Sequence, residues 1–199
     1  MRTPCLAFAA LLAGALLAGD ARAQDAPIDA PDLVNRVDRD TVEHQDDHVH
    51  VVAKHYYFQG AHDPRWLLID VAVEVTSGDA LTIARDDISI VLPDGVELPL
   101  ASQREYRRAR AELLPMRLAL HMHLDTVRDH FPAGSCGDHN FRFFVDSGIR
   151  QTLVDASPVF GECLRGDLFF ASPTGAWNSG THTLVIGGDT NVRLPIEIQ

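Results

Sequence analysis

The sequence predicts an all-β protein: an antiparallel β-sandwich with a helical insertion at about residues 102–130. Three observations carry that prediction. Arg65–Leu100 reads RWLLIDVAVEVTSGDALTIARDDISIVLPDGVELPL, in which apolar side chains recur at period two. Leu67, Ile69, Val71, Val73 and Val75 share one strand face, and Trp66, Asp70 and Glu74 share the other, which reads as one buried and one wet face. Eight such short strands, with turn signals between them, favour two stacked sheets over an α/β arrangement. The third observation is a stretch of helix formers with no β-branched residue, beginning at Ser102.

Taken in order, residues 1–23 read as a signal peptide. Arg2 gives a positive start, Cys5–Gly19 is an apolar run too short to span a bilayer comfortably, and Ala21-Arg22-Ala23 is a small-x-small cleavage signal. Cys5 lies inside that run with no lipoprotein signal before it. Residues 24–47 are rich in Asp and Glu and poor in large apolar side chains, so they read as a flexible acidic leader. Within it, Leu33, Val34 and Val37 could form a weak helical turn or a first edge strand. The folded domain is placed at residues 48–199.

HVHVVAKHYYF then alternates Val49, Val51 and Ala53 with His48, His50 and Lys54, a strand with a polar outer face. After the 59–64 loop comes the 65–100 stretch, whose Pro93-Asp94-Gly95 is a hairpin turn between two apolar runs. Ser102-Gln103-Arg104-Glu105 fits a capping box at a helix start. Pro115, which lacks the amide and crowds the preceding turn, is expected to end that helix or open a new one. A short helix or turn is expected at Asp125–His130. Strand text returns with Phe141, Phe143 and Val145, then Leu164, Leu168 and Phe170. It continues with Thr181–Ile186, the turn Gly187-Gly188-Asp189, and a last strand marked by Val192, Leu194, Ile196 and Ile198. Pro195 has no ladder donor, so that strand is expected at an edge or with a bulge.

The strand–turn text Thr-x-Ser-Gly-Asp, Asp-Asp-Ile-Ser-Ile and Leu-Pro-Asp-Gly resembles secreted bacterial immunoglobulin-like sandwich domains. The ending does too, with Gly-Asp-Leu-Phe-Phe, Thr-His-Thr-Leu-Val-Ile and Arg-Leu-Pro-Ile-Glu-Ile. The resemblance covers about residues 48–199 apart from the helical excursion. It implies an immunoglobulin-like fold and carries over no functional residue; the Cys–Trp–Cys layout of antibody domains is absent.

Cleavage before Gln24 would remove Arg2, Arg22 and Asp20, leaving 176 residues with 15 basic and 27 acidic side chains, a formal charge of −12. Such a surface repels nucleic acid and anionic membranes. No later stretch is long and apolar enough to be an integral membrane segment. A periplasmic or secreted location follows from the signal peptide. There Cys136 and Cys163, the two cysteines of the mature chain, are expected to pair as a structural disulfide. Their wide spacing disfavours a redox or metal pair. The bond would close a loop of about 28 residues, worth roughly 3–4 kcal/mol.

Chemistry-bearing residues are few. Ten histidines raise the question of metal. His48 and His50, about 7 Å apart on one strand face, could share Zn²⁺ or Cu²⁺ with His55, Asp46 or Asp47. His121-Met122-His123 is a softer, weaker candidate. The alternative is solvated surface histidine. Arg104, Arg107, Arg108 and Arg110 form the one basic cluster of an acidic chain. They could bind an anion or a partner, or simply be a solvated helix face. Trp66 and Trp177 could anchor a partner or be covered by neighbouring chain. Gly-x-Ser-x-Gly, His-Glu-x-x-His and a phosphate-cradling glycine loop are all missing. Gly134-Ser135-Cys136-Gly137 uses its cysteine in the disulfide, Asp138 and His139 make a poor acid–base pair, and Asp86-Asp87 is turn chemistry. The sequence therefore predicts a non-catalytic exported module, with no required cofactor, binding a protein or envelope component. Periplasmic metal binding by the histidines is the alternative.

Overall fold

In the computed structural model of the chain, the described residues are 33–57, 63–122, 127–132, 136, 141–146 and 152–199. The predicted signal peptide lies outside them, as do residues 24–32 of the leader. The elements in order are β1 (Val34–Arg36), β2 (Thr41–Gln45), β3 (Val49–Tyr56), β4 (Trp66–Val75), β5 (Ile83–Ala84), β6 (Ile88–Val91), β7 (Glu97–Pro99), α1 (Gln103–His121), β8 (Asp155–Ala156), β9 (Cys163–Ala171), β10 (Gly180–Ile186) and β11 (Val192–Ile198). Short 3₁₀ turns occupy Arg85–Asp87 and Val127–His130.

These strands form a five-stranded sheet ordered β1-β2-β3-β4-β9, a four-stranded sheet ordered β11-β10-β6-β7 and a β5-β8 ribbon, every pairing antiparallel. Alternation decides which side chains meet. Val51, Leu67, Ile69, Val71, Val73, Leu168 and Phe170 from the first sheet share one core with Ile88, Ile90, Leu184, Leu194 and Ile196 from the second. The hairpin at Pro93-Asp94-Gly95 forms as its sequence predicts. Gly95 takes a φ of 86°, Leu92 and Val96 close the backbone bond, and a side chain at position 95 would strain the turn. β11 lies at a sheet edge, where Pro195 costs no interior ladder bond.

Several expectations are corrected. Ordered sheet begins at Val34, where the first edge strand that the sequence allowed forms as β1, inside the stretch that composition marks as a flexible leader. β2 pairs along its full length with β3 and buries Thr41 and Val42, which supplies the apolar contact the acidic residues lack. Residues 76–87 carry the chain from β4 in the first sheet to β6 in the second. The outer face of β4 is not wet: Trp66, Leu68 and Asp70 are all buried.

Two pieces of chain cover that face. α1 lays Tyr106, Ala109, Leu113 and Met116 over Trp66, Leu68 and Phe169. Val127, Phe131 and Cys136 pack over Val52, Ala72 and Cys163, where the Cys136–Cys163 disulfide fastens them to β9.

α1 begins with the predicted capping box. Ser102 Oγ accepts from the Glu105 amide at 3.2 Å, and Glu105 accepts from the Ser102 amide at 2.7 Å. Pro115 does not break it; the helix runs through as one element. The proline is exposed, so the carbonyl it leaves without an amide partner can meet water, while Leu113 and Met116 anchor both sides.

Phe141, Phe143 and Val145 are buried as the alternation implies, yet they form no strand. Their backbone is satisfied individually. Phe141 donates to the Arg165 carbonyl at 2.8 Å, Gln103 brackets Val145 from both its amide oxygen and nitrogen, and Arg85 donates to the Phe143 carbonyl at 2.9 Å. Among the described residues, no helix is long and apolar enough to cross a membrane.

Candidate ligand-binding site

The site begins with a sheet register. Asp70 on β4 stands directly opposite Asp167 on β9, both on the outer face. The carbonyls of Arg165 and Phe169 accept from Phe141 and Ala101, so they point away from β4. By alternation Asp70 and Asp167 form a non-hydrogen-bonded pair, the closer kind, with Cα atoms about 4.5 Å apart. Two like charges in that relation destabilise a sheet unless cations intervene. Arg165, two residues before Asp167 on the same face, closes a fork on Asp70, with Nε at 3.0 and 3.1 Å from the two carboxylate oxygens and Nη2 on Oδ2. Lys54 faces Asp70 from β3.

Asp167 is held from above. Positions 106, 110, 113 and 117 lie along one side of α1 at helical spacing. From there Arg117 Nε donates to Asp167 Oδ2 at 2.7 Å, and Arg117 Nη1 donates to the Tyr106 hydroxyl at 3.2 Å. Tyr106 in turn donates to Asp146 Oδ1 at 3.1 Å, and Arg110 Nε donates to the same oxygen at 2.7 Å. An alternating chain of acid, guanidinium and phenol thus climbs from the sheet to the surface. Its buried end is Asp70, 2 % exposed, and its open end is the Arg110–Asp146 pair, with side chains 46 % and 31 % exposed.

The surroundings keep Arg117, Arg165, Asp146 and Tyr106 in their ordinary charge states. Burial opposes the charge on Arg117, but Asp167 and Tyr106 outweigh it and raise its pKa. Burial also opposes Arg165, and the bond to Asp70 outweighs it. The Arg110 hydrogen bond holds Asp146 below the usual carboxylate range, with Tyr106 adding to it against the cost of burial. Burial pushes the Tyr106 phenol up.

This network encloses a cavity of about 330 Å³ between α1, the β4–β9 strands and the 141–146 segment. It lies over the polar row of the sheet, between the two apolar clusters of the outer face. Phe141, Phe144 and Phe169 supply its apolar lining. Phe144 is fixed edge-on to Phe169, centroids 4.9 Å apart, and carries the Arg85 guanidinium 4.5 Å from its ring centre. Gly166 permits the close seat of Phe141, since a Cβ there would fall 2.7 Å from the Phe141 Cβ. Arg142 also lines the cavity; it is exposed and makes no ion pair among the described residues. The arrangement can bind: it offers guanidinium donors, carboxylate acceptors and aromatic faces in one concave place.

The residues predicted from sequence fall elsewhere or divide. Arg104, Arg107 and Arg108 are exposed on the outer side of α1, whereas Arg110 belongs to the Asp146 pair at the cavity rim. His48 and His50 do not converge. His48 sits in the turn before β3, exposed, with Nδ1 3.2 Å from Ser77 Oγ. His50 is buried, with Nε2 2.6 Å from Glu43, Nδ1 4.0 Å from Glu74 and its ring 4.4 Å from Phe131. Asp46 accepts from the amides of His48 and Val49 and from His44, and His55 lies five residues from His50, on the opposite face. Among the described residues, no three His, Cys, Asp or Glu side chains are grouped to hold a metal. Met122 is exposed; His123, Ser135, Asp138 and His139 lie outside the described residues. Trp66 and Trp177 are both buried, Trp66 beneath α1 and Trp177 edge-on to His182 in the main core.

Asp70, Tyr106, Arg117, Asp146, Arg165 and Asp167 escaped the sequence reading. The signal that points to them is charge within otherwise apolar strands: Asp70 in WLLIDVAVEV and Arg165 and Asp167 in CLRGDLFFA.

No protein-family model matches the chain, and no curated protein matches it in sequence. Two solved structures are similar at low identity. The yjhA protein of Bacillus subtilis has a TM-score of 0.40 and 10 % identity over 79 % of this chain and 96 % of its own. The ycdA protein of Bacillus subtilis subsp. subtilis str. 168 has a TM-score of 0.40 and 12 % identity over 78 % of this chain. The match spans 38 % of that protein's own length.

Proposed function

We propose that the chain is an extracytoplasmic, non-catalytic module of immunoglobulin-like sandwich type that binds a component of the cell envelope in the cavity beneath α1. The observation that carries this reading is the ion-pair network left open around that cavity. Buried ion pairs stabilise a fold little, because desolvation offsets most of their attraction. Apolar residues would cover the sheet at least as well, as they do on either side. A polar row kept between two apolar clusters, with a concave space over it, is the pattern of a recognition site.

Binding is favoured over catalysis by the charge states. The network's acids are clamped by guanidiniums, and neither Asp146, Arg117 nor Arg165 is moved toward neutrality, where a general acid or base would work. The Cys136–Cys163 disulfide supports a location outside the cytoplasm, since such bonds persist in oxidising compartments.

The test is retention. Purified protein is incubated with the low-mass fraction of a bacterial envelope extract, washed, denatured, and its released compounds identified by mass spectrometry. Arg142→Trp, which places an indole at the cavity wall from an exposed position, is run beside it. The expected result is a compound retained by the parent protein and lost from the variant at unchanged melting temperature. No retained compound, or equal retention by Arg142→Trp, refutes the reading.

A further inference from the structure

Building on that binding reading, we infer that the cavity takes a small monocarboxylate carrying one flat apolar or aromatic group, received by Arg142 and Arg117. Asp70, Asp146 and Asp167 stand against Arg117, Arg142 and Arg165, and Arg110 is added at the rim through Asp146. Lys54 opposite Asp70 and Arg85 on Phe144 add positive charge close by, Asp129 beside Arg165 opposes it, and the surplus among the described residues is positive, inside a chain whose formal charge is −11. An anion suits that surplus, and the three carboxylates around the same space disfavour a dianion.

Arg117 spends Nε on Asp167 and Nη1 on Tyr106, and its Nη2 has no acceptor among the described residues. Arg142 has none for its guanidinium either, and both line the cavity. Planar N–H forks of this kind match the two oxygens of a carboxylate. Arg117 is also pre-oriented, because the Asp167 and Tyr106 bonds fix its plane before a ligand arrives, which lowers the ordering cost of binding.

The body of the ligand follows from the remaining wall. Phe141, Phe144 and Phe169 offer ring surface, and Phe144 carries the Arg85 guanidinium over its ring. A volume of about 330 Å³ lies at the lower end of ligand pockets and suits one ring rather than a polymer. A free organic acid and the C-terminal carboxylate of a peptide ending in an aromatic residue present this same chemistry.

Isothermal titration calorimetry with the full mature protein tests the inference. The probes are 3-phenylpropionate, acetyl-Ala-Phe, the amides of both, and phenyl phosphate. At least one carboxylate is expected to bind, with its amide and phenyl phosphate each weaker by about tenfold or more. Tighter binding of 3-phenylpropionate assigns a free acid, and tighter binding of acetyl-Ala-Phe assigns a peptide end. Arg142→Gln is expected to weaken binding by about tenfold without changing the melting temperature. Arg108→Gln, on the outer side of α1, is expected to leave binding unchanged.

Three results overturn the inference: neither carboxylate binding at about 10 mM, an amide or phenyl phosphate binding as well as its carboxylate, or Arg142→Gln without effect. If Arg142→Trp still excludes an uncharged envelope compound, the binding reading stands and the carboxylate assignment alone fails.

Discussion

Replacing Arg165 with Met should cost more stability than an ordinary surface charge, because of what it leaves behind. Asp70 is 2 % exposed and stands opposite Asp167, about 4.5 Å away by the geometry of a non-hydrogen-bonded pair. Arg165 forks onto Asp70 and is itself 15 % exposed at the side chain. Removing one member of a buried pair typically costs about 3–5 kcal/mol, most of it the penalty for the charge left in place. Lys54 faces Asp70 from β3 and softens that penalty, which puts the expectation near the lower bound, about 3 kcal/mol. The companion change Asp70→Asn should recover most of the loss, so the double-mutant cycle should show a coupling of roughly 2 kcal/mol. Urea unfolding followed by tryptophan fluorescence reads this directly, since Trp66 lies in the α1–β4 cluster. With a slope of about 2 kcal/mol/M, Arg165→Met moves the midpoint by about 1.5 M. A loss below about 1 kcal/mol, or strictly additive single changes, would refute the view that Asp70 and Arg165 form a desolvated pair.

Three further outcomes are expected. Reduction should add two hydrogens to the intact mass, and Cys136→Ser/Cys163→Ser should lose roughly 3–4 kcal/mol in the same unfolding assay, the value of a closed loop of about 28 residues. His55 and His182 are both pushed below the ordinary histidine range, mainly by burial, so the unfolded chain takes up their protons first. Stability should be full above about pH 6.5 and fall as the pH drops below it. His182→Gln should remove up to about 1.4 kcal/mol per pH unit of that slope, whereas the lowered Asp146 contributes only in the more acid carboxylate range. Gly166→Ala drives a Cβ into Phe141, with the Phe141 backbone oxygen also 3.2 Å away. It should cost about 1–3 kcal/mol and weaken carboxylate binding through the displaced 141–146 segment, as calorimetry would show.

Local signals in the sequence were strong where the structure is local. The capping box at Ser102 and Glu105 and the Pro93-Asp94-Gly95 turn each depend on neighbours a few residues away, and each reads correctly. Alternation says that β4 has two faces; it does not say that α1 will bury the second, so Trp66 and Asp70 read as wet. Pro115 shows the opposite failure, in which packing at Leu113 and Met116 overrides a local rule. The Phe141–Val145 pattern predicted burial correctly and backbone pairing wrongly, because side chains of Gln103 and Arg85 took the place of a ladder. The cavity depends on pairing Asp70 with Asp167 and Tyr106 with Asp146, contacts set by strand register and helix docking between distant parts of the chain. One sequence shows the charged residues inside those strands but not their partners.

Backbone amide shifts recorded while 3-phenylpropionate is titrated into isotopically labelled protein test the central claim most directly. Perturbations gathered at Tyr106, Arg117, the 141–146 segment and Arg165–Phe169, with Arg104, Arg107 and Arg108 silent, are the predicted result. Perturbations spread over the outer side of α1, or none in the β9–α1 space at saturating ligand, would contradict it.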